Sequence, residues 1–114
     1  MSEAEEQRAV VSWCEARGVP VFHVPNGGYR NKAEAARLKA QGVRAGVPDL
    51  CVPMARGGYH GLYIEMKDAG GKGRVSEHQR EWLERLRAEG YCAWVCHGAD
   101  KAIDLIGRYE RGKA

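Results

Sequence analysis

Acidic and basic side chains stand at the ends of two short apolar runs in the middle of the chain. Asp49 comes directly before the run Leu50 to Val52, and Glu65 and Lys67 follow the run Leu62 to Ile64. Apolar runs of this length, separated by a glycine-containing turn, predict the two strands of a hairpin. The hairpin would bring the Asp49 and Glu65 carboxylates and the Lys67 ammonium to one end of a sheet.

The alternation of side chains along a strand decides which of these groups meet. Glu65 and Lys67 share one face of their strand, whereas Met66 points to the other. A turn around Ala55 to His60 would place Asp49 opposite Glu65. Two carboxylates at that distance repel each other, and a divalent cation with oxygen ligands would satisfy both. The spacing therefore predicts a magnesium-type site.

A metal at such a site would suit phosphodiester hydrolysis, which needs an activated water and neutralisation of charge at the phosphorus. In that interpretation Asp49 and Glu65 are metal ligands, and Lys67 stabilises developing negative charge. The alternative is structural: an exposed aspartate at a strand start and a Glu/Lys pair that contributes well under ~1 kcal/mol. The residues alone leave both interpretations open.

Caps and breakers divide the rest of the chain into helices and strands. Ser2, Asn31 and Ser76 are N-cap residues, and Gly18 and Gly90 end the helices that precede them. The predicted order is a helix over 3–17, a strand over 19–24, a helix from 32 that ends before Gly42, strands at 50–52 and 62–64, a helix that begins after Ser76, a strand over 91–96 and a final helix around 102–109. The second helix has one leucine among alanines and charged residues, which predicts a surface location.

Composition limits the class of protein. A chain of 114 residues predicts one domain over residues 1–114. The net charge of +3 is by itself a weak nucleic-acid signal. No run of about 18 apolar residues occurs and the N-terminus is acidic, so we expect neither a membrane span nor a signal peptide. This indicates a cytoplasmic protein, in a bacterial cell or a phage-infected host.

The four cysteines are predicted to be reduced and buried, because they lie among apolar residues in a chain without an export signal. A zinc site built from Cys92, Cys96 and His97 is the alternative. Their spacing lacks the paired pattern of structural zinc sites, and no second cluster supplies a fourth ligand. The spacing therefore disfavours zinc.

Five segments around the acidic residues stand in a recognisable order. They are Glu6-Gln7, His23 to Gly28, Gly42 to Leu50, Ile64 to Lys67 and Ser76-x-x-Gln79. Pro48-Asp49 followed by Glu65-Met66-Lys67 resembles the PD-(D/E)xK nuclease motif, and the five segments together resemble its VRR-NUC branch. Pro-Asp or Glu-x-Lys alone occurs by chance in many proteins, whereas five such segments in the family's order across the chain are a specific sign of the family.

The resemblance implies an α/β (α+β) fold with a restriction-endonuclease-like PD-(D/E)xK core. In such a core a mixed four-stranded sheet is flanked by helices, and here the order is α-β-α-β-β-α-β-α with the second helix inserted. The resemblance also implies an endonuclease that uses Mg²⁺ or Mn²⁺. The implied metal ligands are Asp49, Glu65, the Met66 backbone carbonyl and Glu6, and the implied catalytic residues add Lys67 and Gln79.

Three of the residues near this motif have structural alternatives. Glu6 has Glu3 and Glu5 beside it, and an acidic first turn stabilises any helix through its dipole. Gln79 also fits a capping box with Ser76. His23 is a candidate general base, although a histidine at a strand end is more often simply hydrogen-bonded.

DNA is the implied substrate, and the basic residues around the motif would neutralise its phosphates. The alternative is that the charges form a solvated face. The predicted DNA-binding residues are Asn26, Arg30, Lys32, Arg44, Lys72 and Arg74, and Arg37 and Lys39 lie among them.

Stand-alone members of the family imply a branched substrate such as a Holliday junction. Resolving a four-way junction needs two symmetry-related cuts, which favours a homodimer. The candidate interfaces are the second helix and the final helix with Ile103, Ile106 and Tyr109. The alternatives are a monomeric flap or nicking nuclease and a non-catalytic DNA-binding module. A nucleotide hydrolase is disfavoured because no phosphate-binding glycine motif occurs.

Overall fold

The structure, a computed structural model, describes residues 1–25 and 30–114. Its elements are α1 (Glu3–Arg17), β1 (Phe22–His23), α2 (Lys32–Ala40), β2 (Leu50–Val52), β3 (Leu62–Lys67), α3 (Glu77–Ala88), β4 (Cys92–His97) and α4 (Ala99–Glu110). The predicted order of helices and strands is confirmed. In the described part of the chain, no helix is both long and apolar enough to cross a membrane.

The four strands form one mixed sheet in the order β1-β2-β3-β4. The pairs β1/β2 and β2/β3 are antiparallel, and β3/β4 is parallel. Leu50 lies opposite Ile64, and one further step along the same register brings Asp49 opposite Glu65. The predicted fold class and hairpin pairing are therefore both confirmed.

One strand differs in length from the prediction. β1 covers only Phe22–His23, since Pro20 has no amide N–H with which to extend the ladder toward the predicted start. β3 includes Glu65 and Lys67, as predicted, and its parallel pairing with β4 extends to the pair Lys67 and His97. The charged end of the predicted site is thus inside a strand, where its backbone is fixed.

One face of the sheet carries the apolar core. Leu62, Ile64 and Met66 alternate along β3 and are fully buried. Helices α1 and α4 pack against each other and against β3 on this face. Val10 and Ile106 belong to the same core. Because Met66 faces the core, Glu65 and Lys67 face the other side of the sheet.

Helix α1 presents one buried stripe, formed by Glu6, Val10 and Cys14 at a spacing of four residues. Ser2 and Glu5 form the predicted capping box. Gly18 ends the helix with φ of 73°, a left-handed conformation that glycine adopts without steric cost. The stripe puts one glutamate among apolar neighbours, which requires a partner for its carboxylate.

All four cysteines are buried free thiols, as predicted. Burial raises the pKa of Cys14 and of Cys96, each to about 11. Both thiols are therefore protonated near neutral pH and behave as small apolar side chains.

The surfaces of α2 and α4 differ from each other. No residue of α2 is buried, which confirms its predicted surface location. In α4, however, Ile106 and Tyr109 are almost completely buried within the chain's own core. The expectation that they form a dimer interface is wrong, because a side chain packed inside one copy has no surface left for a second copy.

Candidate active site

The Asp49 and Glu65 side chains meet where β2 begins and β3 ends. Asp49 Oδ2 accepts a hydrogen bond of 2.8 Å from the backbone N–H of Met66, which ties the start of β2 to β3. Glu65 is only 3% exposed. Its burial, together with the Asp49 carboxylate, raises the pKa of Glu65 to about 8 against the opposing effect of Lys67. Two acids thus face each other, one of them almost fully buried and the other, Asp49, partly exposed.

Gln79, near the start of α3, connects both functional side chains of β3. Its Oε1 accepts from Lys67 Nζ at 3.1 Å and from the Ser76 backbone N–H at 2.9 Å. Its Nε2 donates to Glu65 Oε2 at 3.1 Å. Lys67 Nζ lies 3.5 Å from the same Glu65 oxygen. The two interpretations of Gln79 therefore hold together: it completes the capping box of α3 and also contacts the proposed catalytic residues.

The raised pKa of Glu65 predicts how stability depends on pH without a divalent cation. A raised pKa means that the folded state binds the proton more tightly than the unfolded state. The resulting stability is complete below the ordinary pKa of 4.5 and is lost as the pH rises through about 8. Allowing for partial access of water to the site, we expect a loss of about 2 kcal/mol in the free energy of unfolding.

Chemical denaturation in EDTA, at about pH 5 and about pH 8.5, would measure this loss. The Glu65→Gln variant removes the titrating group but keeps an oxygen that accepts from Gln79, so its stability should change less over the same range. Equal pH dependence in the wild type and the variant would contradict the assignment to Glu65.

Gly46 holds the start of α3 against the segment that leads into β2. Its φ is +89°, and a Cβ at this position would lie 2.5 Å from the His78 carbonyl carbon and 2.7 Å from the Gln79 backbone nitrogen. Only a glycine allows this approach of two backbones. The contact sets the distance between α3 and the site, and it was not predicted from the sequence, although Gly46 lies within the segment Gly42 to Leu50.

Gly46→Ala should lower the free energy of unfolding by about 2–4 kcal/mol, because it adds a backbone clash to an unfavourable φ. Gly58→Ala is the matched control, since Gly58 also has φ of +89° but a Cβ added there would meet no atom within 4 Å. We expect the control to lose only about 1 kcal/mol in thermal or chemical unfolding. If both variants lost the same free energy of unfolding, the close contact between Gly46 and α3 would not contribute to stability.

Glu6 reaches the start of α4 rather than the solvent. It is 7% exposed, and its Oε2 accepts a hydrogen bond from the Ala99 backbone N–H. Gly98, the N-cap of α4, has no side chain to cap the helix. The Glu6 carboxylate therefore supplies the cap from another helix, where the dipole of α4 favours a negative charge. Its proposed contact with a metal stays a prediction.

Removing this cap gives a test of its structural role. Glu6→Ala should lower the free energy of unfolding in EDTA by about 1–3 kcal/mol, because the buried Ala99 N–H loses its acceptor. Glu6→Gln keeps an acceptor oxygen and should retain most of the stability. Glu3→Ala, an exposed change in the same helical turn, serves as the control. If Glu6→Ala is as stable as the wild type in EDTA, the carboxylate does not act as a cap.

The three neighbouring glutamates of α1 have different partners. Glu5 completes the capping box with Ser2. Glu3 lines a cleft of about 340 Å³ together with Gln7, His23 and Asp49. Of the three, Glu3 thus shares a cleft with Asp49, whereas Glu6 lies under α4.

His23 is hydrogen-bonded to the backbone beside the site. Its Nδ1 lies 2.8 Å from the Asp49 carbonyl oxygen. A carbonyl only accepts hydrogen bonds, so Nδ1 carries the proton in this contact. Gln7 Nε2 lies 3.1 Å from the same nitrogen, but an amide N–H cannot donate to a nitrogen that already carries a proton, so the contact with the Asp49 carbonyl is the hydrogen bond that holds His23. This geometry fits the simple hydrogen-bonded interpretation of His23.

Asp68 folds the glycine-rich loop after β3 back over Lys67. Its Oδ1 accepts from the Gly73 N–H at 2.9 Å, and a Cβ on Gly73 would lie 3.1 Å from Lys67 Cδ. The loop thereby covers the aliphatic part of Lys67. Lys72 and Arg74, two predicted DNA-binding residues, lie on this loop.

The other predicted DNA-binding residues lie around α2. Arg30 and Arg44 line a cleft between α2 and α3. Arg44 donates hydrogen bonds to two backbone carbonyls, those of Lys39 and Val43. Lys32 is exposed at the start of α2, and Asn26 lies outside the described residues.

The donor atoms of the site suit a small, hard cation. Asp49 and Glu65 offer carboxylate oxygens, and their repulsion would be relieved by a divalent cation. Among residues 1–25 and 30–114, no three His, Cys, Asp or Glu side chains lie together as a metal-binding group. Mg²⁺ is often held by only one or two carboxylates, with water and substrate phosphates as the other ligands. The two carboxylates fit that pattern.

Comparisons with known proteins agree with the fold and the motif. The VRR-NUC domain matches residues 1–100. A solved structure described as a VRR_NUC domain protein is 36% identical, with a TM-score of 0.85 over 98% of this chain and 90% of that chain. A second, described as a VRR_NUC domain, is 25% identical, with a TM-score of 0.63 over 96% and 99% of the two chains. A search of curated proteins gave no match. A domain match over most of the chain, together with similar folds across nearly the full length of both structures, shows that the chain belongs to the VRR-NUC nuclease family.

Proposed function

We propose that residues 1–114 form a single nuclease domain that hydrolyses phosphodiester bonds in DNA with the help of a divalent cation. The observation that carries the proposal is a pair of facing acids, the buried Glu65 and the partly exposed Asp49, with the Lys67 ammonium 3.5 Å from Glu65. Burying a carboxylate beside a second acid costs free energy, and such perturbed groups cluster at functional sites. The arrangement is therefore better explained by catalysis than by stability.

Mg²⁺ or Mn²⁺ is the proposed cofactor. Asp49, Glu65 and the Met66 backbone carbonyl would hold it. The role of Glu6 as a further ligand stays a prediction from the sequence, because in the structure its carboxylate caps α4, and among the described residues it forms no metal-binding group with the two acids. When bound, the cation supplies Lewis-acid activation of a phosphate oxygen and of water. The oxygen-only donor set supports a hard cation over zinc.

The chain's own residues would orient and neutralise the reacting groups. The Lys67 ammonium would donate to a phosphate oxygen as negative charge develops there in the transition state. Gln79 would keep Lys67 and Glu65 in fixed rotamers through the two hydrogen bonds already described. Gln79 is thus proposed as a positioning residue, and Lys67 as a catalytic residue.

The proposed substrate is branched DNA, in particular a four-way junction resolved by a homodimer. Lys32, Lys72 and Arg74 would contact phosphates and release counterions. Two copies related by a two-fold axis would present two sites in opposed orientation, one for each strand to be cut.

The decisive experiment is cleavage of a synthetic four-way junction, a flap and a plain duplex of shared sequence, with Mg²⁺, Mn²⁺ or EDTA. We expect cutting of the junction in either metal and none in EDTA. Light scattering with and without DNA should give the mass of a dimer. A plasmid that extrudes a cruciform should be converted to linear DNA, because both cuts occur within one bound complex.

The alternative functions predict other products. A monomeric nickase would give nicked circles and a monomeric mass, and it would prefer the flap. A non-catalytic DNA-binding module would bind the junction without cutting it in any metal. Either pattern would overturn the resolvase proposal, and the second would overturn the nuclease proposal as well.

A further inference from the structure

A cleft of about 560 Å³ lies between α2 and α3, and we call it the α2–α3 cleft. Its α3 wall consists of His78, Trp82 and Arg85, whose spacing of four and three residues puts them on one face of the helix. Leu38 of α2 forms part of the opposite wall. The volume falls within the range of about 300–1,000 Å³ that is typical of ligand sites.

The walls of the cleft combine an aromatic ring with positive charge. The Arg85 guanidinium lies 5.5 Å from the centre of the Trp82 ring. Arg30 and Lys39 also line the cleft. Among the described residues, those that line it include no carboxylate. Such a site attracts an anion that also has a flat apolar part.

A second cleft has the same pair of side chains but a different balance of charge. The cleft between β4 and α4 has about 520 Å³ and contains Trp94, and Arg87 lies 5.5 Å from that ring as well. Asp100 and Asp104 also line this second cleft, together with Lys101 and Arg108, and Arg108 is paired with Asp104. The charges of its lining therefore balance, whereas the charged side chains of the described residues that line the α2–α3 cleft are all basic, so the α2–α3 cleft attracts an anion more strongly.

The α2–α3 cleft adjoins the candidate active site. His78, which lines the cleft, precedes Gln79 in the sequence, and Gly46 touches the backbone of both. Helix α2 buries none of its residues, so it contributes little to the core. What α2 does provide is one wall of this cleft.

We propose that the α2–α3 cleft binds an unpaired nucleotide of the DNA substrate, with the base against Trp82 and a phosphate on the basic residues. The inference rests on the proposed function and adds that a nucleotide close to the cut in the branched DNA is unpaired in the bound complex. Bases in a duplex are already stacked on their neighbours, so the Trp82 ring is accessible only to an unpaired base.

The test uses the full chain in EDTA, so that binding is measured without cleavage. The probe is a DNA with a short single-stranded gap that contains 2-aminopurine, and the reference is the same sequence as a complete duplex. We expect the wild type to quench the fluorescence of the gapped DNA on binding. Trp82→Ala should bind the gapped DNA about tenfold more weakly, without quenching, and should bind the duplex like the wild type.

Trp94→Ala is the matched control, because its ring has the same arginine contact in the other cleft, and it should change neither affinity nor quenching. Trp82→Phe retains an aromatic ring and should bind the gapped DNA almost as well as the wild type does. Its binding shows whether the loss in Trp82→Ala comes from lost stacking or from an unfolded protein. Arg85→Ala should weaken binding of the gapped DNA about threefold. It should also lower the slope of log binding constant against log salt concentration by about one, because one phosphate contact is lost. Arg108→Ala, in the other cleft, should change neither the affinity nor the slope.

Three results would overturn the inference. The first is wild-type binding and quenching of gapped DNA by a folded Trp82→Ala variant. The second is an equal loss of gapped and duplex binding in that variant, and the third is unchanged binding in Arg85→Ala. Failure of the proposed function looks different: the wild type would cut no DNA in Mg²⁺ even though it quenches the gapped probe in EDTA.

Discussion

Glu65→Gln and Asp49→Asn should each abolish DNA cleavage in magnesium while the protein stays folded. Both changes keep the shape of the side chain and remove one of the two carboxylates available to a cation. A metal site contributes several kcal/mol to transition-state stabilisation, so we expect the rate to fall by about a thousandfold or more. Single-turnover cleavage of the four-way junction with excess protein would measure the loss.

The same variants should hold or gain stability when no metal is present. Removing one acid removes the repulsion that helps to raise the pKa of Glu65, and the folded state benefits above neutral pH. Glu84→Gln, an exposed change on α3 with the same charge difference, is the control and should affect neither rate nor stability. Cleavage at a wild-type rate by either site variant would eliminate the proposed metal site.

Lys67→Met should slow the chemical step far more than it weakens DNA binding. The methionine keeps the apolar stem that lies under Gly73 but removes the ammonium group. One donor in a water-excluded site is worth roughly 3–4 kcal/mol in the transition state, which corresponds to about a hundredfold to a thousandfold in rate. We expect the DNA dissociation constant to change by less than about threefold.

Saturating single-turnover kinetics separates these two effects, because the rate constant then no longer depends on binding. Lys101→Met, an exposed change on α4, removes the same charge away from the site and should leave the rate unaltered. A Lys67→Met rate equal to that of the wild type under saturating DNA would show that the ammonium takes no part in the chemistry.

Local rules were enough to predict the elements and the pairing of the two acids. Ser2 and Ser76 cap their helices as predicted, because capping depends on residues within one helical turn. The juxtaposition of Asp49 and Glu65 follows from strand alternation and a short hairpin, which fixes the register. Glu6 lies four residues before Val10 on a buried stripe, so its burial could also have been predicted from spacing.

Such local rules could not predict contacts between segments that are far apart in the sequence. The sequence presented Gln79 as either a cap or an active-site residue, and only the packing of α3 on the sheet let one amide both cap the helix and contact Glu65 and Lys67. That packing depends on Gly46, whose close approach to α3 involves His78 and Gln79, residues far away along the chain. Local patterns carry no information about such an approach, because it depends on how whole elements dock.

The sequence by itself thus determined the family motif, the order of the elements and the face of β3 that carries Glu65 and Lys67. Only the tertiary structure decided that Glu6 caps α4, that Ile106 is a core residue and that Trp82 faces a basic cleft. The physical reason is that periodicity fixes the direction of a side chain within its own helix or strand. What the side chain meets there depends on the burial and charge of elements that are remote in the chain.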